Sequence, residues 1–173
     1  FRSSGSILGA AGAAAIQMSG GSVTNNAGGI ISGDVGILTS NNTSIFNAGT
    51  ITGAAGTAIQ FAAAGGNTLT LAPGFAINGN VLGSGSDTFQ LGGVGSDSFN
   101  VSNIGAGQQY PGFNTFNKIG ASTWTLTGSN AAALPFVVQQ GTLLVNGSMP
   151  ASPFTVTGGT LGGTGTIGSF VAQ

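Results

Sequence analysis

The chain has no cysteine, no histidine and no glutamate in its 173 residues. Without cysteine it has neither a disulfide framework nor a thiolate metal site. Without histidine or cysteine it cannot build the usual catalytic triads or an imidazole–metal centre. Charge is nearly missing as well: Arg2, Asp34, Asp87, Asp97 and Lys118 are the whole set, for a net charge of −1. Nucleic-acid binding needs clustered lysine and arginine, which two isolated cations do not supply. No stretch approaches the roughly 18 consecutive apolar residues of a membrane-spanning helix. The opening Phe1-Arg2-Ser3-Ser4 is neither an initiator methionine nor a signal peptide, and Gly168–Gln173 stops in mid-pattern. The expectation is a slice of a longer chain.

What remains is glycine, 34 residues of it, with Ser, Thr, Asn and Ala, and a hydrophobic share of 40%. That share, spread at short intervals, argues for a packed fold rather than a flexible linker. Internal similarity gives its form. Asn26-Ala27-Gly28-Gly29-Ile30 returns as Asn47-Ala48-Gly49-Thr50-Ile51, 21 residues on. Ala15-Ile16-Gln17-Met18 returns as Ala58-Ile59-Gln60-Phe61 after 43 residues, with Gly36-Ile37-Leu38 between them. Periods of this size mark solenoids and propellers.

Short alternating runs then choose between them: Thr68–Leu71, Thr88–Leu91, Ser98–Val101, Thr123–Thr127, Thr142–Val145 and Phe154–Thr157. Alternation bounded by Gly, Asn and Ser is the mark of half-buried strands. Two or three such strands per repeat describe one coil of a parallel β-helix. The expected fold is all-β, a parallel β-helix of about eight coils with roughly 21–22 residues each. Phe46, Phe61, Phe75, Phe89, Phe99, Phe113 and Phe116 are the expected interior rings. Gly and Asn take the corners, where positive φ is needed.

Residues 83–168 carry a resemblance. The block Gly83–Gly128, with Lys118-Ile119-Gly120 leading to Trp124-Thr125-Leu126-Thr127-Gly128, resembles a segment of bacterial type V autotransporter passenger domains. Gln140-Gly141-Thr142-Leu143 and Gly158-Gly159-Thr160-Leu161-Gly162-Gly163-Thr164-Gly165 are similar to the autotransporter-associated β-strand repeat. The chain then divides into repeat coils (1–82), the first block (83–128) and the strand repeat (129–173). The resemblance implies a right-handed β-helix on the outer surface of a Gram-negative cell, exported by its own C-terminal outer-membrane β-barrel. It implies a structural or adhesive stem, not an enzyme, with no cofactor. Its partners would be host or neighbouring-cell surface molecules, with end-to-end self-association of isolated copies. The alternative is a polysaccharide-binding or polysaccharide-cleaving module on the same helix.

Three candidate sites compete with these readings. Gly92-Gly93-Val94-Gly95-Ser96-Asp97-Ser98-Phe99-Asn100 fits the calcium nonapeptide, so Asp87 and Asp97 are weak metal candidates. Successive turns of a calcium β-roll lie nine residues apart. These aspartates lie ten apart, and no third copy follows. The simpler expectation is two stacked strand–turn units, with each aspartate bonding backbone N–H groups and Phe89 and Phe99 inward. Tyr110 and Lys118 resemble an acid–base pair only loosely. A turn at Tyr110–Gly112 and a solvated lysine explain them as well. The pairs Thr68/Thr70, Thr123/Thr125/Thr127, Thr155/Thr157 and Thr164/Thr166 hint at an ice- or crystal-binding face, but threonine is simply favourable in strands. Trp124 shares a face with Leu126 and is expected inside.

Overall fold

A computed structural model describes residues 1–61 and 65–173 of the chain and is all-β. One long face is a nine-stranded parallel sheet. Its strands are β1 (Arg2–Ser3), β4 (Gly21–Asn25), β6 (Thr43–Asn47), β8 (Thr68–Leu71), β10 (Asp87–Leu91), β12 (Phe113–Lys118), β14 (Phe136–Val138), β16 (Ser148–Val156) and β18 (Thr166–Ala172). A second sheet covers the first half of the opposite side, with β2 (Ser6–Leu8), β3 (Ala14–Met18), β5 (Ile30–Thr39), β7 (Thr50–Phe61) and β9 (Ala76–Leu82). A third takes over in the second half, with β11 (Ser96–Asn100), β13 (Thr123–Thr127), β15 (Thr142–Val145) and β17 (Thr160–Gly162). The result is a β-solenoid of about seven turns.

Inward positions form continuous rows. On the long face Val23, Ile45, Leu69, Phe89, Phe116, Phe136 and Phe154 pair in succession, each at most 1% exposed. Fully burying each such side chain contributes about 1.5–3 kcal/mol. Phe136 and Phe154 lie ring over ring, 5.5 Å apart and 7° from parallel. A row like this forms because a parallel register sets each residue about 4.8 Å above its counterpart, so like shapes nest. Phe170 continues the row at the last rung, where it is exposed.

The long repeat matches the strand register residue for residue. Ile16 pairs with Ile37 and Ile37 with Ile59, as Gln17, Leu38 and Gln60 do beside them. The shorter repeat is displaced by one: Asn25, not Asn26, pairs with Asn47, and Ile31, not Ile30, pairs with Ile51. The corner between them shortens from one coil to the next, so a constant period of 21 averages two different intervals. The bend in β5 and β7 turns one strand over two faces at the stacked Gly33 and Gly53. A Cβ on Gly53 would run into the Thr57 carbonyl, so only glycine allows that bend.

Of the expected interior rings, Phe61, Phe89, Phe99 and Phe116 are buried, and Phe75 and Phe113 pack on the core from its margin. Phe46 is not interior. It sits between buried Ile45 and Asn47, so alternation turns it to the outer face beside Thr24 and Thr70. Trp124 is inside, with its Nε1–H donating to the Gly92 carbonyl at 3.0 Å.

Candidate functional site

The metal candidates are placed by the two sheets. Asp87 opens β10 on the long face and Asp97 lies in β11 on the opposite side of the same coil. The two strand–turn units that hold Asp87 and Asp97 are therefore not stacked rungs. They face each other across the core, and Phe89 and Phe99 meet there with ring centres 5.0 Å apart. Asp87 is fully buried and accepts from the Asn67 N–H (3.1 Å), the Asn67 side-chain amide (2.9 Å) and the Ser84 N–H (2.7 Å). Asp97 accepts from the N–H groups of Gly74 (2.9 Å) and Ser98 (2.8 Å).

These surroundings point the positive ends of N–H dipoles at each carboxylate. A calcium ion needs six to eight oxygens converging instead. Among the described residues no three acidic or histidine side chains come together. The aspartates do structural work: Asp34 likewise accepts from the Gly12 N–H at 3.0 Å. Each of the three holds backbone one coil earlier, across 20 to 23 residues of sequence.

Lys118 overturns the expectation of a solvated charge. It occupies an inward position of β12 between Leu91 and Val138 and is fully buried. Its three N–H donors go to the carbonyls of Ile119 (2.7 Å), Gly120 (2.8 Å) and Gln140 (2.9 Å). Burial without a carboxylate partner pushes its pKa down to about 8. Gly141 makes the room: a Cβ there would stand 2.7 Å from the ammonium. With every donor used, this lysine is a coil-to-coil fastener rather than a base for Tyr110.

A lateral cleft of about 390 Å³ opens where the second sheet ends and the third begins. β9 pairs only with β7 and β11 only with β13, so neither continues the other. The coil between Leu91 and its partner Lys118 is 27 residues long, the longest in the chain. Its extra length, through the 3₁₀ turn Val101–Asn103, folds over the step. Gln109 reaches back along the outer edge of β9: its side-chain amide donates to the carbonyls of Ile77 (3.2 Å) and Gly79 (3.0 Å), and its backbone carbonyl accepts from the Val81 N–H at 2.8 Å. Phe75, Phe99 and Tyr110 supply the aromatic part of the lining, and Asn78, Asn103 and Gln109 much of the polar part. Tyr110 is 2% exposed, and burial pushes its phenol well above the ordinary tyrosine range, so it stays a neutral donor.

Sequence reasoning treated Tyr110 as part of a small loop and did not single out Asn103 or Gln109. The signal that would have found them is the departure from the repeat. A coil several residues longer than its neighbours has to place the excess somewhere. Compared with known proteins, the chain matches no family model, no curated protein and no solved structure.

Proposed function

We propose that the chain is the stem of a longer surface-displayed passenger: a rigid spacer whose lateral faces meet host or neighbouring-cell molecules. The observation that carries this reading is the unbroken nine-stranded sheet along one side of the molecule. Eight rung spacings of about 4.8 Å give a rod roughly 40 Å long. In a solenoid each coil contacts only its neighbours, so stiffness depends on what ties one coil to the next. Here the ties are the apolar rows, the three aspartates and Lys118. A chain with so few charges spends nearly all of them holding coils together. The resemblance of residues 83–168 to autotransporter passengers supplies the setting: the outer surface of a Gram-negative cell, reached through the parent's own β-barrel. Folding of the phenylalanine-rich coils outside the cell would help draw the rest of the chain across.

The test is deletion of residues 118–168 from the parent protein, with display and adhesion measured on intact cells. Both fall under this reading. Unchanged display together with unchanged adhesion would remove it.

A further inference from the structure

We propose that the cleft between β9 and β11 is a binding site for a short neutral saccharide. The inference deepens the adhesive part of the stem reading and rests on it for its biological setting. Three groups carry it. The Tyr110 hydroxyl makes no hydrogen bond to any described residue, although the residue is only 2% exposed. The hydroxyl is not sealed from solvent, and Tyr110 lines the cleft. Gln109 spends both amide hydrogens on the β9 edge, which leaves its Oε1 as an acceptor with no donor among the described residues. The Asn103 side chain lines the same cleft and is equally unpartnered, with both a donor and an acceptor to offer.

That set decides the ligand class. No charged side chain lines the cleft, so an ion would lose its hydration with nothing to replace it. A purely apolar ligand would bury the amides and the phenol unpaired. A sugar ring fits both conditions. Its hydroxyls donate and accept over short distances, as a neutral phenol, an amide oxygen and a free amide require, and its apolar C–H face suits the aromatic part of the lining, Phe75 and Phe99. Position adds to the case. The cleft is where the solenoid changes its second sheet, and a pocket at an architectural discontinuity is open without breaking the long face. Trp124, the other natural sugar platform, is fully buried against Phe75, with ring centres 5.8 Å apart, and does not line the cleft.

The experiment is saturation-transfer NMR and calorimetry on the purified chain. The probes are neutral tetrasaccharides of glucose, mannose, galactose and N-acetylglucosamine, with a tetragalacturonate and an extended uncharged peptide as comparisons. The expected result is millimolar or tighter binding of at least one neutral saccharide. Tyr110→Phe, which keeps the ring, and Asn103→Ala, which removes an unpartnered amide, should each weaken it about fivefold to tenfold with unchanged thermal unfolding. The proposal is overturned if no neutral saccharide binds at 10-fold above about 1 mM. It is equally overturned if both variants bind like the parent, or if the acidic saccharide or the peptide binds best. Failure here leaves the deletion experiment on intact cells unaffected, and the reverse also holds.

Discussion

The two halves of the solenoid fill the same inward rows with different chemistry. In the first, the long-face row is Val23, Ile45 and Leu69, and the row beside it is Ser3, Asn25 and Asn47. In the second, the rows become Phe89, Phe116, Phe136 and Phe154, beside Leu91, Lys118 and Val138. The difference follows the sheets. In the first half β5 and β7 bend over two faces, so aliphatic side chains arrive from strands on three sides. In the second half much of the third side is loop, contributing Ile104, Tyr110 and Leu134 to the core. Rings reach across that section where branched aliphatics would not: Phe89 touches both Phe99 and Tyr110, at 5.0 and 5.6 Å between ring centres. One backbone register therefore tolerates two core chemistries, provided each row stays consistent with its own cross-section.

The sharpest break of this comparison is Phe136→Ala against Ile45→Ala, two positions in one row. Phe136 lies between Phe116 (5.3 Å) and Phe154 (5.5 Å), so its loss opens the aromatic stack in the middle. The expected cost is about 3–5 kcal/mol for Phe136→Ala and about 2–4 kcal/mol for Ile45→Ala. Urea titration followed by tryptophan fluorescence reads the second half, where Trp124 lies. Phe136→Ala should lower that midpoint most. Equal midpoints in the two variants would mean that the rings add nothing beyond their bulk.

Much of this architecture was readable in the residues, and the failures have physical causes. The 43-residue return of Ala15–Met18 as Ala58–Phe61 was legible because the register from Ile16 through Ile37 to Ile59, and on to Phe61, runs without insertion. Asn26 was matched to Asn47 by letter, whereas the backbone pairs Asn25 with it, since corners absorb length that strands do not. Phe46 was counted as interior by residue type, although strand parity puts it outside. Phe136 and Phe154 were not counted among the interior rings, although Phe154 heads the alternating run Phe154–Thr157. Lys118 was the hardest. A lone lysine is almost always solvated, and nothing local shows that three carbonyls from two coils will surround it. The cleft left only an indirect trace, the excess length of the coil from Leu91 to Lys118, because it is made by what two sheets fail to do.

Lys118 gives the next test, and its sign can be worked out. The folded pKa is about 8 against 10.5 for an ordinary lysine. Below pH 8 both states carry the charge and the full burial cost is present. Between 8 and 10.5 the unfolded state binds more protons, so stability rises with pH. Tyr110 sets the upper limit. Its raised pKa means the unfolded chain loses the phenolic proton first, which lowers stability above pH 10. Unfolding free energy should therefore climb by about 2 kcal/mol from pH 8 to pH 10. Lys118→Met should abolish the climb. At pH 7 it should also destabilise by about 2–4 kcal/mol, because it strands the carbonyls of Ile119, Gly120 and Gln140. A variant as stable as the parent at pH 7 would show that the ammonium offsets no more than its own desolvation.

The smallest expected effect is a gain, and it concerns the row that Lys118 interrupts in the other half. Asn25 donates to Asn47 Oδ1 at 2.9 Å, and to the carbonyls of Gly29 and Thr50. Asn25 Oδ1 is buried and accepts nothing, the one such side-chain atom among the described residues. The residue paired with it one coil earlier, Ser3, donates its hydroxyl to the Gly5 carbonyl instead. An asparagine at that position has the reach that Asn25 itself uses on Asn47. Ser3→Asn should extend the amide row by one rung and satisfy the orphaned oxygen, stabilising the first coils by about 1 kcal/mol. Hydrogen exchange of the amides of β4 reads this locally, with about fivefold slower exchange expected where the first coil frays. No slowing, or faster exchange, would mean that the amide row needs a strand longer than β1 to hold its first member in place.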